Sequence, residues 1–266
     1  MSIRFLGLIL WFGVLSLTSG AAAQIIEVRE DMKAVFDDYR VTGTFVAFDP
    51  HRDHMTIISP KRAEMRLIPA STFKIVNALI ALETGVVSDE NEIIPFGGKP
   101  QIIKAWERDM SMRDAVTVSN VPVFQEIARR VGLERYTTYL RKFGFGNQLA
   151  GVDVETFWLK GPLKISAVEF AKLLARLARF ELPAKVASQK TVRDILRLET
   201  RDGTILFGKT GWTSKPNPDV GWFVGWIEKE GRVLSSALNL DICKRSDAAK
   251  RVLIAKRLLN TLVFAE

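Results

Sequence analysis

Apolar residues change their spacing along the chain, and each spacing predicts a different element. In 27–39 they recur every three or four positions, which predicts an amphipathic first helix. In 42–48 apolar and polar residues alternate, and 55–58 follows a polar turn, so these two segments predict a β-hairpin. The run 71–84 is apolar nearly all round and stops at Gly85, which predicts a buried helix.

Helical and strand-like patterns are segregated in the rest of the chain. From about 86 to 195 the patterns are helical or loop-like, with capping-box signals at Ser111 and Ser166. An antiparallel meander is then predicted by three strand-like runs, 204–209, 220–228 and 233–240. The chain from Ser246 onward predicts a last helix. The fold class is therefore α+β, with an antiparallel sheet of about five strands, flanking helices and an inserted, mostly helical region at about 86–195.

The first 23 residues predict a targeting segment. A short basic start precedes an apolar run, 5–17, that is too short to span a bilayer comfortably, and 21–23 supply the small residues of a cleavage site. We therefore expect a signal peptide at 1–23 and a single folded domain at 24–266. The protein would be periplasmic and free of the membrane after cleavage.

Basic and acidic residues are interspersed along the chain. The net charge is +8, but no basic run carries interleaved aromatic residues, so no nucleic-acid partner is expected. The positive balance suits a small anionic ligand. The sequence leaves open whether the protein is a monomer or a homodimer.

Cysteine and histidine are scarce. Cys243 is the only cysteine, so no internal disulfide can form, and its place near the end of a strand-like run predicts a buried thiol. His51 and His54 have a spacing that could bind a metal. A solvated turn is the favoured interpretation because the sequence offers no third histidine or second cysteine as a ligand, and no metal is expected.

The predicted buried helix carries one cation close to its start. Lys74 lies three residues after Ser71, on the same face of the helix. A desolvated amine within reach of a hydroxyl can activate a serine nucleophile. The alternative is structural, with Ser71 as a helix cap and Lys74 extending its amine to solvent.

Three further motifs follow in the chain. Ser119-Asn120-Val121 offers a serine that could transfer a proton, and a valine that could form a dry wall. Trp158 lies in Phe157-Trp158-Leu159-Lys160-Gly161 and could pack over a reactive group. Lys209-Thr210-Gly211 ends the first strand of the meander, where a cation and a hydroxyl can meet a carboxylate and a glycine permits close approach.

These motifs, in this order, resemble those of the penicillin-recognising serine enzymes, and within them the class D (oxacillinase-type) β-lactamases. The resemblance extends from about residue 24 to the end of the chain. It includes 69–74, 119–121, 145–147, the Trp158 stretch with 161–167, and 209–211. It implies a β-lactamase/transpeptidase-like fold and an exported serine hydrolase that opens the ring of β-lactam antibiotics, with no cofactor apart from carbon dioxide.

The resemblance also implies catalytic roles. Ser71 would be the nucleophile that becomes the acyl-ester. Lys74 would carry carbon dioxide as N6-carboxylysine and act as general base, first on Ser71 and then on the hydrolytic water. Trp158 would hydrogen-bond and shield that group, and Ser119 would relay a proton to the leaving nitrogen. The backbone N–H groups of Ser71 and Trp212 would form the oxyanion hole.

Substrate binding is implied for a further set of positions. Lys209, Thr210 and Arg251 would hold the carboxylate of the drug. The full predicted substrate-binding set is Ser119, Val121, Lys209, Thr210, Gly211 and Arg251.

One position departs from the family pattern. The usual Tyr-Gly-Asn is here Phe145-Gly146-Asn147, so no proton transfer can be assigned to residue 145, and Phe145 is expected to pack or to form a wall of the cleft. The alternatives to a hydrolase are a β-lactam sensor domain and a penicillin-binding domain, both acylated without turnover. Class A enzymes match less well, because Ser119-Asn120-Val121 differs from their Ser-Asp-Asn.

Overall fold

The computed structural model describes residues 24–214 and 216–263. The predicted signal peptide, 1–23, lies outside the described residues. Within the described ranges, no helix combines the length and the apolar character needed to cross a bilayer.

The described residues form a seven-stranded sheet whose strand order is β1-β3-β2-β9-β8-β7-β6. Its strands are β1 (Ile25–Val28), β2 (Gly43–Asp49), β3 (His54–Ile58), β6 (Arg197–Arg201), β7 (Thr204–Thr213), β8 (Asp219–Lys229) and β9 (Arg232–Ile242). Only β1, which pairs with β3, is parallel to its neighbour; the remaining pairs are antiparallel. Two very short strands, β4 (Ile93–Ile94) and β5 (Met110–Ser111), pair separately.

The helices of the described residues lie at both ends of the chain and in its middle. They are α1 (Ala34–Asp38), α2 (Pro60–Ala63), α3 (Lys74–Thr84), α4 (Met112–Thr117), α5 (Val121–Val131), α6 (Leu133–Phe143), α7 (Ala167–Ala178), α8 (Val186–Ile195) and α9 (Asp247–Val263). Short 3-10 helices occur at Glu30–Lys33, Ala70–Phe73 and Lys104–Trp106. The capping box predicted at Ser166 is present, with reciprocal bonds to Glu169.

The α+β class is confirmed, but the expected strand count was too low. The segment 27–39, predicted as one helix, instead begins in β1 and continues as a 3-10 helix and the short α1. Strand β6 was also missed. Both are edge strands, and β6 is exposed throughout, so backbone hydrogen bonds hold them rather than a buried apolar face. Neither strand alternates buried and exposed positions, so the spacing of apolar residues does not identify it as a strand.

Two hydrophobic cores lie on opposite faces of the sheet. One is formed by α1, α9 and residues such as Phe45, Phe223 and Leu258. The larger core joins the other face, through Trp222 and Val224, to α3 and to the helices between β4 and β6. The start of α3 therefore lies where the sheet meets the helical region.

Cys243 was expected to be buried, and this expectation was wrong. Strand β9 ends at Ile242, so Cys243 opens the following turn and its side chain is exposed. The turn is held by the backbone N–H groups of Cys243 and Lys244, which donate to the Asp247 carboxylate at the start of α9.

Leu258→Ala should destabilise the fold through the core under α9. Leu258 is fully buried, and truncating a buried leucine costs about 2–5 kcal/mol because it leaves a cavity. Leu253→Ala, on the same helix but half exposed, is the matched control and should change the free energy of unfolding by no more than about 0.5 kcal/mol. Urea denaturation of both variants measures this, and equal losses would contradict the assigned burial.

Candidate active site

Ser71 lies in the 3-10 helix Ala70–Phe73, which runs directly into α3. The segment before it is anchored twice: the Trp222 indole donates to the Ile68 carbonyl (3.0 Å), and the Ala70 N–H donates to the Trp158 carbonyl (2.9 Å). Ala70 adopts a left-handed backbone conformation, with φ of 48°. A non-glycine residue in this region is held there by its surroundings, and such positions concentrate at functional sites.

Lys74 and Ser71 are in direct contact. The Lys74 Nζ donates to the Ser71 Oγ at 2.9 Å. Lys74 is fully buried, whereas Ser71 is half-buried and thus accessible from the cleft. Ser71 caps no helix with its side chain. The structural alternative, a capping serine and a solvent-exposed amine, therefore does not describe this pair.

The surroundings of Lys74 disfavour a charged amine. Burial lowers the pKa of Lys74 well below the usual 10.5, and the positive charge of Lys209 lowers it further. Within the described residues no salt bridge compensates this charge, and the Nζ lies 5.4 Å from the centre of the Phe124 ring. The site therefore favours the neutral amine, which is the nucleophilic form.

An aromatic cluster packs behind the start of α3. Phe73 contacts four rings, those of Tyr136, Phe145, Phe157 and Trp158, at centroid distances of 5.3–6.0 Å. Phe145 is fully buried and also packs on Phe170, so it acts as packing at this departure from the family pattern. The Trp158 Nε1 is buried and has no hydrogen-bond partner among the described residues. A buried donor of this kind is suited to an acceptor group.

Ser119 and Lys209 form the second polar contact of the site. The Lys209 Nζ donates to the Ser119 Oγ (3.0 Å) and to the Thr210 carbonyl (3.1 Å). Ser119 has a φ of 57°, and the next residue, Asn120, caps α5, where Val121 is the first, half-buried residue. Burial, assisted by the Arg251 charge, lowers the pKa of Lys209 to about 8.

Strand β7 presents an open edge to the segment that carries Ser71. Strand β6 pairs with β7 only through residues 204–207, so in the described sheet residues 209–212 pair with β8 alone. An ideal Cβ on Gly211 would lie 2.9 Å from the Pro69 carbonyl oxygen and 3.2 Å from the Thr72 nitrogen. From the sequence, Gly211 was predicted to allow close approach of a substrate. In the structure, residues 69–72 of the chain itself lie close to this glycine.

Arg251 reaches this strand from α9. Its guanidinium donates to the Gly211 carbonyl, and its Cδ lies 2.6 Å from where a Cβ on Gly221 would stand. Burial lowers the pKa of Arg251 to about 10. Lys209 and Arg251 are therefore two cations beside the open edge of β7, and this arrangement favours an anionic ligand.

The predicted residues thus gather in three linked pairs, Ser71 with Lys74, Ser119 with Lys209, and Arg251 with Gly211. Trp158, Val121, Thr210 and Trp212 adjoin them along the chain or through the contacts above. Their roles remain predictions. Within the described residues, no group of three or more His, Cys, Asp or Glu side chains is arranged to hold a metal ion.

Comparison with known proteins identifies the family. The penicillin-binding protein transpeptidase domain model matches residues 43–260. β-Lactamase OXA-10 of Pseudomonas aeruginosa is 39% identical over 248 residues, covering 92% of this chain and 93% of that protein. β-Lactamase OXA-48 of Klebsiella pneumoniae is 34% identical, covering 90% of this chain and 91% of that protein. The chain belongs to the class D β-lactamases.

A solved structure of the same class agrees with this assignment. FUS-1 (OXA-85), a class D β-lactamase from Fusobacterium nucleatum subsp. polymorphum, superposes with a TM-score of 0.85 at 39% identity, covering 89% of this chain and 99% of that one. The resemblance drawn from the motifs is therefore confirmed at the level of the family.

Sequence reasoning missed several residues of this class D site. Phe124 was given no role from the sequence, yet its ring lies beside the Lys74 amine. Trp106 donates to the Val118 carbonyl and its own carbonyl accepts from Asn120, so it supports the Ser119 turn. Asp219 accepts a hydrogen bond from Trp212. Only tertiary structure brings these partners together.

Lys209→Met should remove a pH-dependent part of the stability. Because the folded pKa is about 8 and the usual value is 10.5, the unfolded state binds more protons than the folded state between these values. Below pH 8 Lys209 is charged in both states, and burying that charge lowers the free energy of unfolding. As the pH rises from 8 to 10.5, the buried amine loses its proton and this cost disappears. The free energy of unfolding of the wild type relative to the variant should therefore increase by about 2 kcal/mol from pH 8 to 10. Urea denaturation across this range measures the difference, and a constant difference would show that Lys209 stays charged in the fold.

Proposed function

We propose that the chain hydrolyses β-lactam antibiotics through an acyl-ester on Ser71, with Lys74 as the site of the general base. The observation that carries this proposal is the 2.9 Å contact between a fully buried amine and a half-buried serine hydroxyl. The cations Lys209 and Arg251 beside the open edge of β7 suit the carboxylate that β-lactam drugs carry. The activity of the class D relatives supports the same substrate class.

In the acylation step, the Ser71 Oγ attacks the carbonyl carbon of the β-lactam while its proton passes to the general base at Lys74. The backbone N–H groups of Ser71 and Trp212 would stabilise the oxyanion. The amide C–N bond then breaks, and Ser119 passes a proton to the ring nitrogen. Lys209, hydrogen-bonded to Ser119, can replenish that proton because its pKa is about 8.

The residues around Lys74 fit the carbamate that the family resemblance implies. A neutral amine is required to combine with carbon dioxide, and burial favours that form at Lys74. The buried Trp158 Nε1 lacks an acceptor among the described residues and could donate to the added group. When bound, carbon dioxide would supply an anionic oxygen base beside Ser71. Val121, Phe124 and Trp158 would keep water from this position.

Export to the periplasm is part of the proposal, with 1–23 as the cleaved signal peptide. The second candidate function is a sensor or penicillin-binding domain that is acylated and does not turn over. The same groups that bind and acylate would serve both, so turnover separates them.

Ser71→Ala should abolish hydrolysis of a chromogenic cephalosporin, with kcat/KM reduced by roughly 10³-fold or more because the nucleophile is lost. Ser246→Ala, at an exposed serine outside the site, is the matched control and should retain activity.

Lys74→Ala should acylate slowly and retain the ester, visible as a stable mass increase. Normal turnover by Ser71→Ala would exclude the proposed nucleophile. One stoichiometric acylation of the wild type without turnover would favour the sensor.

Trp158→Phe should weaken carbon dioxide binding at Lys74, because it removes the unpaired indole N–H while keeping an aromatic ring in the cluster. The measurement is the carbamate ¹³C NMR signal in labelled bicarbonate, with kcat measured at low and high bicarbonate. Trp226→Phe, at a buried tryptophan stacked on Phe207, is the control and should keep the signal. No carbamate signal in the wild type would remove this group from the mechanism, and a full signal in Trp158→Phe would remove the role of Trp158.

A further inference from the structure

Trp212 is tied to the neighbouring strand by its side chain. The indole N–H donates to the Asp219 carboxylate at 2.7 Å. Trp212 lies opposite Gly221 in the β7–β8 pairing, and Asp219 is two residues from Gly221 along β8. Since side chains alternate along a strand, both residues project from the same face of the sheet as diagonal neighbours.

This is the face from which Arg251 approaches. Gly221 carries no side chain, and the space where its Cβ would stand is taken by Arg251, whose Cδ would be 2.6 Å away. The guanidinium of Arg251 donates to the carbonyl of Gly211, the residue before Trp212. The indole and the guanidinium thus lie on adjoining parts of one surface, next to the open edge of β7.

Without this hydrogen bond, the Trp212 side chain could adopt other rotamers. Its side chain is 39% exposed, so packing alone does not fix it. An aromatic face attracts a guanidinium, and a freely rotating indole would gain by moving over Arg251. Such a rotation would cover the cation that is proposed to bind the substrate carboxylate. The carboxylate of Asp219 opposes this movement by a charge-assisted hydrogen bond directed along β8, away from Gly211.

We propose that Asp219 is a positioning residue for substrate binding, which acts through Trp212. By holding the indole beside β8, Asp219 keeps Arg251 and the edge of β7 open to the carboxylate of the substrate. This inference rests on the proposed β-lactamase function and adds to it a residue outside the predicted catalytic and binding set. Asp219 touches no reacting atom, so its effect should fall on substrate binding rather than on the chemical steps.

A set of four variants tests the inference with benzylpenicillin. Asp219→Ala should raise KM about fivefold, as expected for the loss of one partly exposed charge-assisted hydrogen bond, and leave kcat within about twofold. Asp219→Asn keeps an oxygen acceptor for the indole without the charge, and should raise KM clearly less than Asp219→Ala does. Trp212→Phe removes the donor. Adding Asp219→Ala to Trp212→Phe should therefore change KM no further.

Two results would overturn the inference. If Asp219→Asn raises KM as much as Asp219→Ala, the charge of Asp219 matters and the hydrogen bond does not. If Asp219→Ala keeps its full effect in the Trp212→Phe background, Asp219 does not act through Trp212. Thermal melting of each variant shows whether it has lost its fold. Asp219→Asn is the matched control for Asp219→Ala in this measurement. A wild type that binds β-lactams without turnover would refute the proposed hydrolase. If the wild type is active but the Asp219 and Trp212 variants give either of the two results above, only the role of Asp219 is refuted.

Discussion

The burial of the Lys74 amine beside Ser71 is the constraint on which the rest of this structure depends. A buried ammonium without a counter-charge is costly, so the fold favours the neutral form and lowers the pKa of Lys74. A neutral amine is useful only if a hydroxyl lies within reach, and the single turn between Ser71 and Lys74 provides that contact. The aromatic cluster around Phe73 supplies the apolar wall that makes the burial possible.

The second requirement is that strand β7 come close to both the nucleophile segment and α9. Two glycines on facing strands meet it: Gly211 leaves room for the Pro69 carbonyl, and Gly221 leaves room for Arg251. With these contacts in place, the charge of Arg251 lowers the pKa of Lys209, and the charge of Lys209 lowers the pKa of Lys74. The electrostatic character of the site is therefore a consequence of backbone packing.

Much of the fold could be predicted because its main elements bury a face. The buried helix 71–84 and the meander were recognised from periodicity, and the meander strands proved only a few residues longer than predicted. Strand β6 could not be recognised, since it is exposed along its length. Strand β9 extends past the predicted run 233–240 to Ile242 but stops before Cys243, a boundary that the hydrophobic pattern does not define, and Cys243 is exposed in the turn that follows.

The candidate site shows the same division. The motif residues were predicted because serine, lysine and glycine at fixed spacings have chemical meaning. Phe124 was missed because its partner, Lys74, is distant in sequence. Asp219 was missed because its contact with Trp212 depends on the register of β7 and β8, which the hydrophobic pattern does not define.

The replacement of the family tyrosine by Phe145 sharpens one point of the mechanism. A fully buried phenyl ring in the aromatic cluster can neither donate nor accept a proton. In the proposed mechanism, the proton for the leaving nitrogen would come from Ser119, which is hydrogen-bonded to Lys209. With a pKa of about 8, Lys209 is still largely protonated at neutral pH but releases a proton far more readily than an exposed lysine. Lys209, which is proposed to bind the substrate carboxylate, would thus also be suited to supply the proton that completes ring opening.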